Sequence, residues 1–277
     1  MEGSIKKYTP YKVMSFVLLV LLAIFFMFPL YWILTGSFKT PQAINMRVPQ
    51  WFCVEPVLDN YVKLFRNPAW QWLYNSVFIA VIAMILTCVT AAMAGYVLAK
   101  KRFHGRQLLF SVFVCAMALP KQVILVPLLK LMAFLGIHDT LWSVIVASVG
   151  WPFGVFLLKQ FSESIPTEML EAARIDGASE MHTFVSIVIP MIKPGIGALA
   201  IFTFINVWND YFLQLIMLFS RPKLTISLGI ATLQAELSTD FGLIMAGAAL
   251  GSVPIIIIFL IFQKYFTQGI TMGAVKG

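Results

Sequence analysis

The chain has 277 residues, 60% of them hydrophobic and only 12% charged, with a formal net charge of +8 and a mean hydropathy of +0.88. Soluble domains carry roughly a quarter charged residues, so that class is excluded and the bilayer is this chain's solvent. The excess of Lys and Arg reads as membrane topology and contact with anionic lipid headgroups, not as nucleic-acid binding.

A spanning helix needs about 20 apolar residues. Six segments meet that requirement, at about 13–35, 72–99, 107–129, 140–160, 196–219 and 241–262, which predicts an all-α polytopic membrane protein with a single transmembrane domain over 1–277. The first follows Lys6, Lys7 and Lys12 like the start of a signal peptide. It is too long for one and ends at Tyr31-Trp32 without an A-x-A site, so it is read as a retained anchor. Lys100, Lys101, Arg102 and Arg106 crowd the short connection between the second and third spans, whereas residues 136–140 hold no Lys or Arg. The positive-inside rule then puts both basic clusters, both termini and the polar segment 161–195 in the cytoplasm, with 39–71 and 220–240 outside. Pro120, Pro127 and Pro254 fall inside spans and read as kinks. Gly242, Ala246, Gly247 and Gly251 offer a close-packing face on the sixth span. Cys53, Cys88 and Cys115 lack C-x-x-C spacing and read as packing residues rather than a disulfide framework or metal site.

Lys121 in the third span and Asp210 in the fifth are the charges deepest in apolar sequence, and either alone costs about 3 kcal/mol at a helix centre. Counted from Gln107 and Ile196, both lie about 14 residues, roughly 21 Å, along their helices, so they can pair. Asn206, Trp208, Asn209 and Gln214 add polar groups and a ring nearby. That set suits a saccharide path equally well as an interhelical bridge that fixes packing. The chain contains no G-x-x-x-x-G-K-S/T loop, nucleophile elbow, H-E-x-x-H or paired carboxylates, and His104, His138 and His182 are scattered. No catalytic role or cofactor of its own is expected, and energy must come from another polypeptide.

The segment 161–195 is expected to hold a short helix, a turn and a second helix. Pro166 suits a first turn, Glu168 and Glu171 favour a helix N-terminus, and Gly177 can take the left-handed stop after Asp176. Ala172 and Ala173 leave a shallow face, and Glu171 offers a carboxylate to a partner's Arg or Lys. E-A-A-x3-G alone fits an ordinary surface helix as well. The longer pattern, Glu171-Ala172-Ala173, Gly177 and Ile187-Val188-Ile189-Pro190, resembles the E-A-A-x3-G-x9-I-x-L-P loop of permease subunits of bacterial ATP-binding-cassette importers, with Ile189 in place of the usual Leu. Asp59-Asn60-Tyr61, Asn75-Ser76, Trp208-Asn209-Asp210 and the tail Gly269–Gly277 resemble the carbohydrate branch, so the likeness runs over nearly the whole chain.

The resemblance implies a type I importer fold and the translocation subunit of an ATP-driven importer of oligosaccharides in a bacterial cytoplasmic membrane. Its partners would be a homologous second permease, two copies of a cytoplasmic ATPase that bind the ATP and Mg, and an extracellular solute-binding protein. Glu171, Ala172, Ala173, Asp176 and Gly177 would dock the ATPase, and the tail with Gly273, Lys276 and Gly277 would reach into it. The outer segment 231–240, with Leu233, Gln234, Glu236, Ser238 and Thr239, would probe the binding protein's sugar cleft. In the family's maltose-type arrangement the companion permease supplies most or all sugar contacts. A permease for another solute, such as a glycerol phosphate or an amino acid, remains open. So does a cation-coupled secondary transporter using Asp210, although such a carrier has no need of a docking helix.

Overall fold

The computed structural model describes the backbone of residues 10–237 and 240–274 and the side chains of 10–236 and 240–264. All regular structure among them is helical. In chain order it comprises α1 (Pro10–Gly36), α2 (Pro41–Ile44), α3 (Asp59–Arg66), α4 (Ala69–Lys100), α5 (Arg106–Met117), α6 (Lys121–Phe134), α7 (Leu141–Val149), α8 (Phe153–Glu163), α9 (Thr167–Ile175) and α10 (Glu180–Thr183). A π-helical turn, Phe184–Val188, then leads into α11 (Ile189–Asn209), α12 (Tyr211–Met217), a 3₁₀ turn Arg221–Lys223, α13 (Ile226–Leu237) and α14 (Phe241–Ala274). Among the described residues, four helical stretches, Pro10–Gly36, Ala69–Lys100, Glu180–Asn209 and Phe241–Lys264, are long and apolar enough to cross a bilayer alone; counting each of two bent pairs as one span gives up to six.

The bends correct the expected spans. The third is not a kinked helix: α5 and α6 meet at 107°, because Pro120 has no N–H to continue α5 and disfavours helical geometry at Leu119. The fourth breaks by 42° between α7 and α8, at Gly150-Trp151-Pro152. The fifth begins at Glu180 rather than 196 and stops at Asn209, where Asp210 adopts φ −78° and ψ 69°. The loop 161–195 therefore shrinks to the residues between α8 and α10, with α9 inside it. No Pro or Gly causes the break at Asp210. Instead, the Asp210 carboxylate caps α12 by accepting from Leu213 N at 3.4 Å, and Gln214 Nε2 donates to the Val207 carbonyl at 2.8 Å, supplying a partner at the end of α11.

The described residues form two compact units, one running through Asn67 and including Ile230–Leu250, the other Pro68–Gly229 with the chain from Gly251 on. In the first, Asn60 on α3 donates to the carbonyls of Ser37 and Lys39, each at 2.9 Å, which ties α3 to the end of α1. Gly242 on α14 lies against the same side chain, since a Cβ there would meet Asn60 Oδ1 at 2.5 Å. A Cβ added at Gly247 would lie 2.7 Å from the Ile230 side chain, so the small-residue face of α14 admits large neighbours.

The second unit is built around α4, whose Trp72, Ile79, Ala80, Ala83, Ala91 and Ala92 are buried. It crosses α8 closely at Gly95, where an added Cβ would lie 2.7 Å from Lys159 N and 2.8 Å from the Leu158 carbonyl carbon. The irregular chain after α12 is held by side chains, as buried backbone groups without a helix must be. Trp72 Nε1 donates to Arg221 O at 2.8 Å, Asn75 Nδ2 to Pro222 O and Leu224 O at 2.9 Å, and Ser76 Oγ accepts from Ile226 N at 2.8 Å. Asp139, at φ 55°, accepts from Phe219 N, Ser220 N and Ser220 Oγ, and from Lys223 Nζ at 3.0 Å. Burial alone would raise its carboxyl, but the Ser220, Phe219 and Lys223 donors outweigh that and hold it well below the usual carboxylate range.

Candidate functional site

Among the described residues, two places carry chemistry-bearing groups beyond packing. The first is α9. Thr167 begins it directly after Pro166, whose extended backbone makes it the residue before the helix rather than part of its first turn. Its end is a Schellman turn: Gly177 takes φ +79°, Gly177 N donates to Arg174 O at 3.1 Å, and Ala178 N reaches back to Ala173 O at 2.9 Å. Glu171, Ala172, Asp176 and Gly177 are exposed, whereas Ala173 is buried, so Ala173 belongs to the side of α9 facing its own chain. The exposed side also presents Met169, and Ile175 is 86% exposed. Neither apolar residue was singled out from sequence, although an isoleucine beside Asp176-Gly177 at a helix end is a legible signal of an apolar contact.

Two lysines read from sequence only as topology determinants anchor the flanks of α9. Lys100 Nζ donates to the carbonyls of Glu163 and Ile165 at 3.1 and 2.6 Å, capping the end of α8. Lys101 Nζ meets Glu180 Oε2 at 2.5 Å, and the other Glu180 oxygen meets Arg174 Nη2 at 3.4 Å. The C-terminal end of α4 is thus bonded to both sides of the segment that presents α9. Exposed ion pairs such as these contribute at most about 1 kcal/mol each, so their consequence is placement rather than stability.

The second place is a cavity of about 260 Å³ in the unit around α4. Lys121 and Asp210 both line it, with Lys121 Nζ 3.3 Å from Asp210 Oδ2. Neither sits at a helix centre. Lys121 is the first residue of α6 and Asp210 precedes α12, so depth counted along straight helices does not describe them. A cation in a first turn opposes the helix dipole, and the facing carboxylate offsets that cost. Trp151, from the break between α7 and α8, places its ring 4.9 Å from the same ammonium. Sequence reading missed it.

The other path candidates divide. Asn206 lines the cavity, its amide nitrogen donating to Phe202 O at 2.8 Å. Trp208 does not: it is 5% exposed and its ring lies against Phe204, 5.6 Å between centroids at 19°, so it is core and no sugar platform. Asn209 is exposed away from the cavity and bonds Ile205 O at 2.9 Å. Gln214 is buried, its carbonyl accepting from Thr225 Oγ1 at 2.5 Å, which makes it a structural stitch. Outside these two places, the segment 231–240 is not a loop as expected but largely α13, with Leu233 2% exposed and Gln234 and Glu236 exposed. Ser238 and Thr239 lie outside the described residues, as do Lys276 and Gly277; Gly273 falls within α14, which carries the backbone to Ala274.

Residues 89–272, a span that includes α9, the three helix breaks around the cavity and most of α14, match the family of the binding-protein-dependent transport system inner membrane component. The chain belongs to that family. Among relatives, it is 32% identical over 98% of both chains to the arabinooligosaccharides transport system permease protein AraQ of Bacillus subtilis. It is 30% identical over 96% of both to the maltodextrin transport system permease protein MdxG of the same species. A chain in the crystal structure of a bacterial ABC transporter involved in the import of the acidic polysaccharide alginate superposes with a TM-score of 0.80, at 22% identity and over 94% of this chain and 99% of that one. The family member's fold is therefore that of an ABC importer permease, with the spans broken as described above.

Proposed function

We propose that this chain is the translocation subunit of an ATP-driven importer of oligosaccharides, docked through α9 to a separate cytoplasmic ATPase. The single observation that carries the proposal is α9 itself: a capped surface helix with Glu171, Ala172 and the 86%-exposed Ile175 turned outward and lysine-anchored flanks, in a family named for binding-protein dependence. The names of the arabinooligosaccharide and maltodextrin permeases support the saccharide class. The chain binds no nucleotide and catalyses no hydrolysis; ATP and Mg belong to the ATPase. A second, homologous permease completes the pore, and α1, which buries none of its most apolar 18-residue window, meets lipid and that companion. An extracellular binding protein delivers the sugar to the side bearing 39–71 and 220–240, including Gln234 and Glu236. The tail with Gly273, Lys276 and Gly277 reaches the ATPase. The protein sits in a bacterial cytoplasmic membrane with both termini in the cytoplasm.

Closure of the ATPase dimer draws the docked helices together, which favours one of two conformers of the spans; that differential stability is all alternating access requires. Glu171→Ala removes the carboxylate, and Gly177→Pro is incompatible with φ +79° and removes the N–H that caps Arg174 O. Both variants are expected to insert in the membrane but to lose copurification with the ATPase, or binding-protein-stimulated ATP hydrolysis, by about ten-fold or more, an effect of about 1.4 kcal/mol in coupling. Wild-type copurification and stimulation in both would refute docking at α9.

A further inference from the structure

Among the described residues, two bent helix pairs are interrupted and α11 ends at Asp210, and these three helix breaks meet at one place. Lys121 follows the 107° turn into α6, Trp151 lies in the 42° break between α7 and α8, and Asp210 separates α11 from α12; all three line the 260 Å³ cavity. Non-helical backbone at membrane depth persists where it lines a water-filled space, because lipid leaves its polar groups unpaired. The cavity wall is otherwise mixed: Asn206, Ser148 and Thr203 stand among Ile124, Leu128 and Phe202. Aromatic and apolar faces with a few fixed polar groups are the composition of small-molecule sites.

The charge arrangement narrows the ligand. Among the described residues lining the cavity, Lys121 and Asp210 are the only charged ones, and they neutralise each other at 3.3 Å. The ammonium has its Coulombic partner and a tryptophan ring already, so a ligand carboxylate entering the cavity would have to displace Asp210 or lie beside it unpaired. A neutral polyol meets no such penalty: hydroxyls can donate to Asp210, accept from Lys121 and bridge Asn206, while a sugar's C–H face packs on the apolar wall. At 260 Å³ the space is slightly below the roughly 300–1,000 Å³ of sites that enclose a drug-sized ligand, a size that admits one ring at a time.

We infer that this subunit itself contributes a saccharide subsite at the meeting point of its three helix breaks, selective for neutral sugar rings over uronic acids. The inference rests on the importer reading above but goes beyond it, since permease function does not require this subunit to touch the cargo. In a variant complex with Cys53, Cys88 and Cys115 replaced by Ser, Ala147→Cys on α7 and, separately, Leu128→Cys on α6 each place a thiol in the cavity lining without replacing a polar lining residue. The complete complex in nanodiscs is treated with a water-soluble methanethiosulfonate, alone or with arabinotriose, maltotriose or a uronic-acid trisaccharide.

Labelling of either thiol is expected in the absence of sugar. Arabinotriose or maltotriose is expected to slow it about ten-fold at ten times the Kd, and the uronic-acid trisaccharide to leave it unchanged. No labelling at either position, no protection by any of the three, or equal protection by the acidic one would overturn the inference. ATPase copurification and ATP-dependent uptake, measured on the unmodified and the Cys-replaced complexes, separate the two claims: their absence from the unmodified complex would count against the importer reading, whereas failed protection with both intact counts against the subsite alone.

Discussion

Gly95→Val is expected to leave little folded protein in the membrane, and Gly95→Ala to lower the thermal midpoint in detergent by several degrees. A Cβ at this position would lie 2.7 and 2.8 Å from backbone atoms of α8, which cannot rotate away as a side-chain tip can. The helices must separate, and separation opens the crossing where Ala91 and Ala92 pack with Leu158 and Leu199. Overpacking costs about 3 kcal/mol at the upper end of its usual range, or roughly 6–12 °C for a chain of this size. Gly150→Ala is the control, because its nearest neighbours would be 3.8 Å and 3.9 Å away and its φ of −68° suits any residue. A Gly95→Ala midpoint within a degree of that control would show that α4 and α8 do not cross as closely as described.

The charge pair has the second large effect. Asp210→Asn keeps an oxygen that can cap Leu213 N and removes only the charge, leaving the Lys121 ammonium without its carboxylate; Lys121→Met leaves the carboxylate without its cation. Each is expected to reduce uptake several-fold and to lower detergent stability. The double variant should recover most of the stability, with a coupling energy of about 1 kcal/mol, moderated because the Lys121 side chain is 39% exposed. Additive losses in the double variant would mean that the two charges act independently, and the pairing would then have no energetic role.

Much of this architecture is legible in sequence for a physical reason: a helix that must bury every backbone polar group in lipid announces itself as an apolar run. Expected spans 13–35 and 72–99 correspond to Pro10–Gly36 and Ala69–Lys100. The helix-turn-helix around Gly177 is readable because only a residue without Cβ takes φ +79° cheaply. The interruptions are harder. Pro120 could kink or break, and hydropathy is the same either way. Asp210 marks a helix break with neither Pro nor Gly, and the break depends on bonds that hydropathy does not show, Leu213 N to the Asp210 carboxylate and Gln214 Nε2 to Val207 O.

Sidedness was hidden for a related reason. A helix apolar all round has no preferred face, so the sequence of α11 does not separate Trp208, in the core, from Asn206, in the cavity lining two residues earlier; the surrounding helices do. Likewise Ala91 to Gly95 is an unremarkable small-residue run until α8 is laid across it, whereas the similar run on α14 drew notice for its G-x-x-x-G. Polar residues make 231–240 look like a loop in sequence; α13 instead carries Gln234 and Glu236 on an exposed side and buries Leu233.

Transport by this chain is expected to be powered by another polypeptide's ATP hydrolysis rather than by a cation gradient through Asp210. The most direct measurement is uptake of radiolabelled arabinotriose or maltotriose into proteoliposomes containing the purified complex, with the binding protein outside. One set encloses ATP and Mg without an ion gradient; the other has an imposed proton or sodium gradient and no nucleotide. Uptake in the first set alone, abolished when the ATPase is omitted, is the expected result. Accumulation driven by either gradient without nucleotide, and lost in Asp210→Asn, would contradict the account and identify a secondary carrier instead.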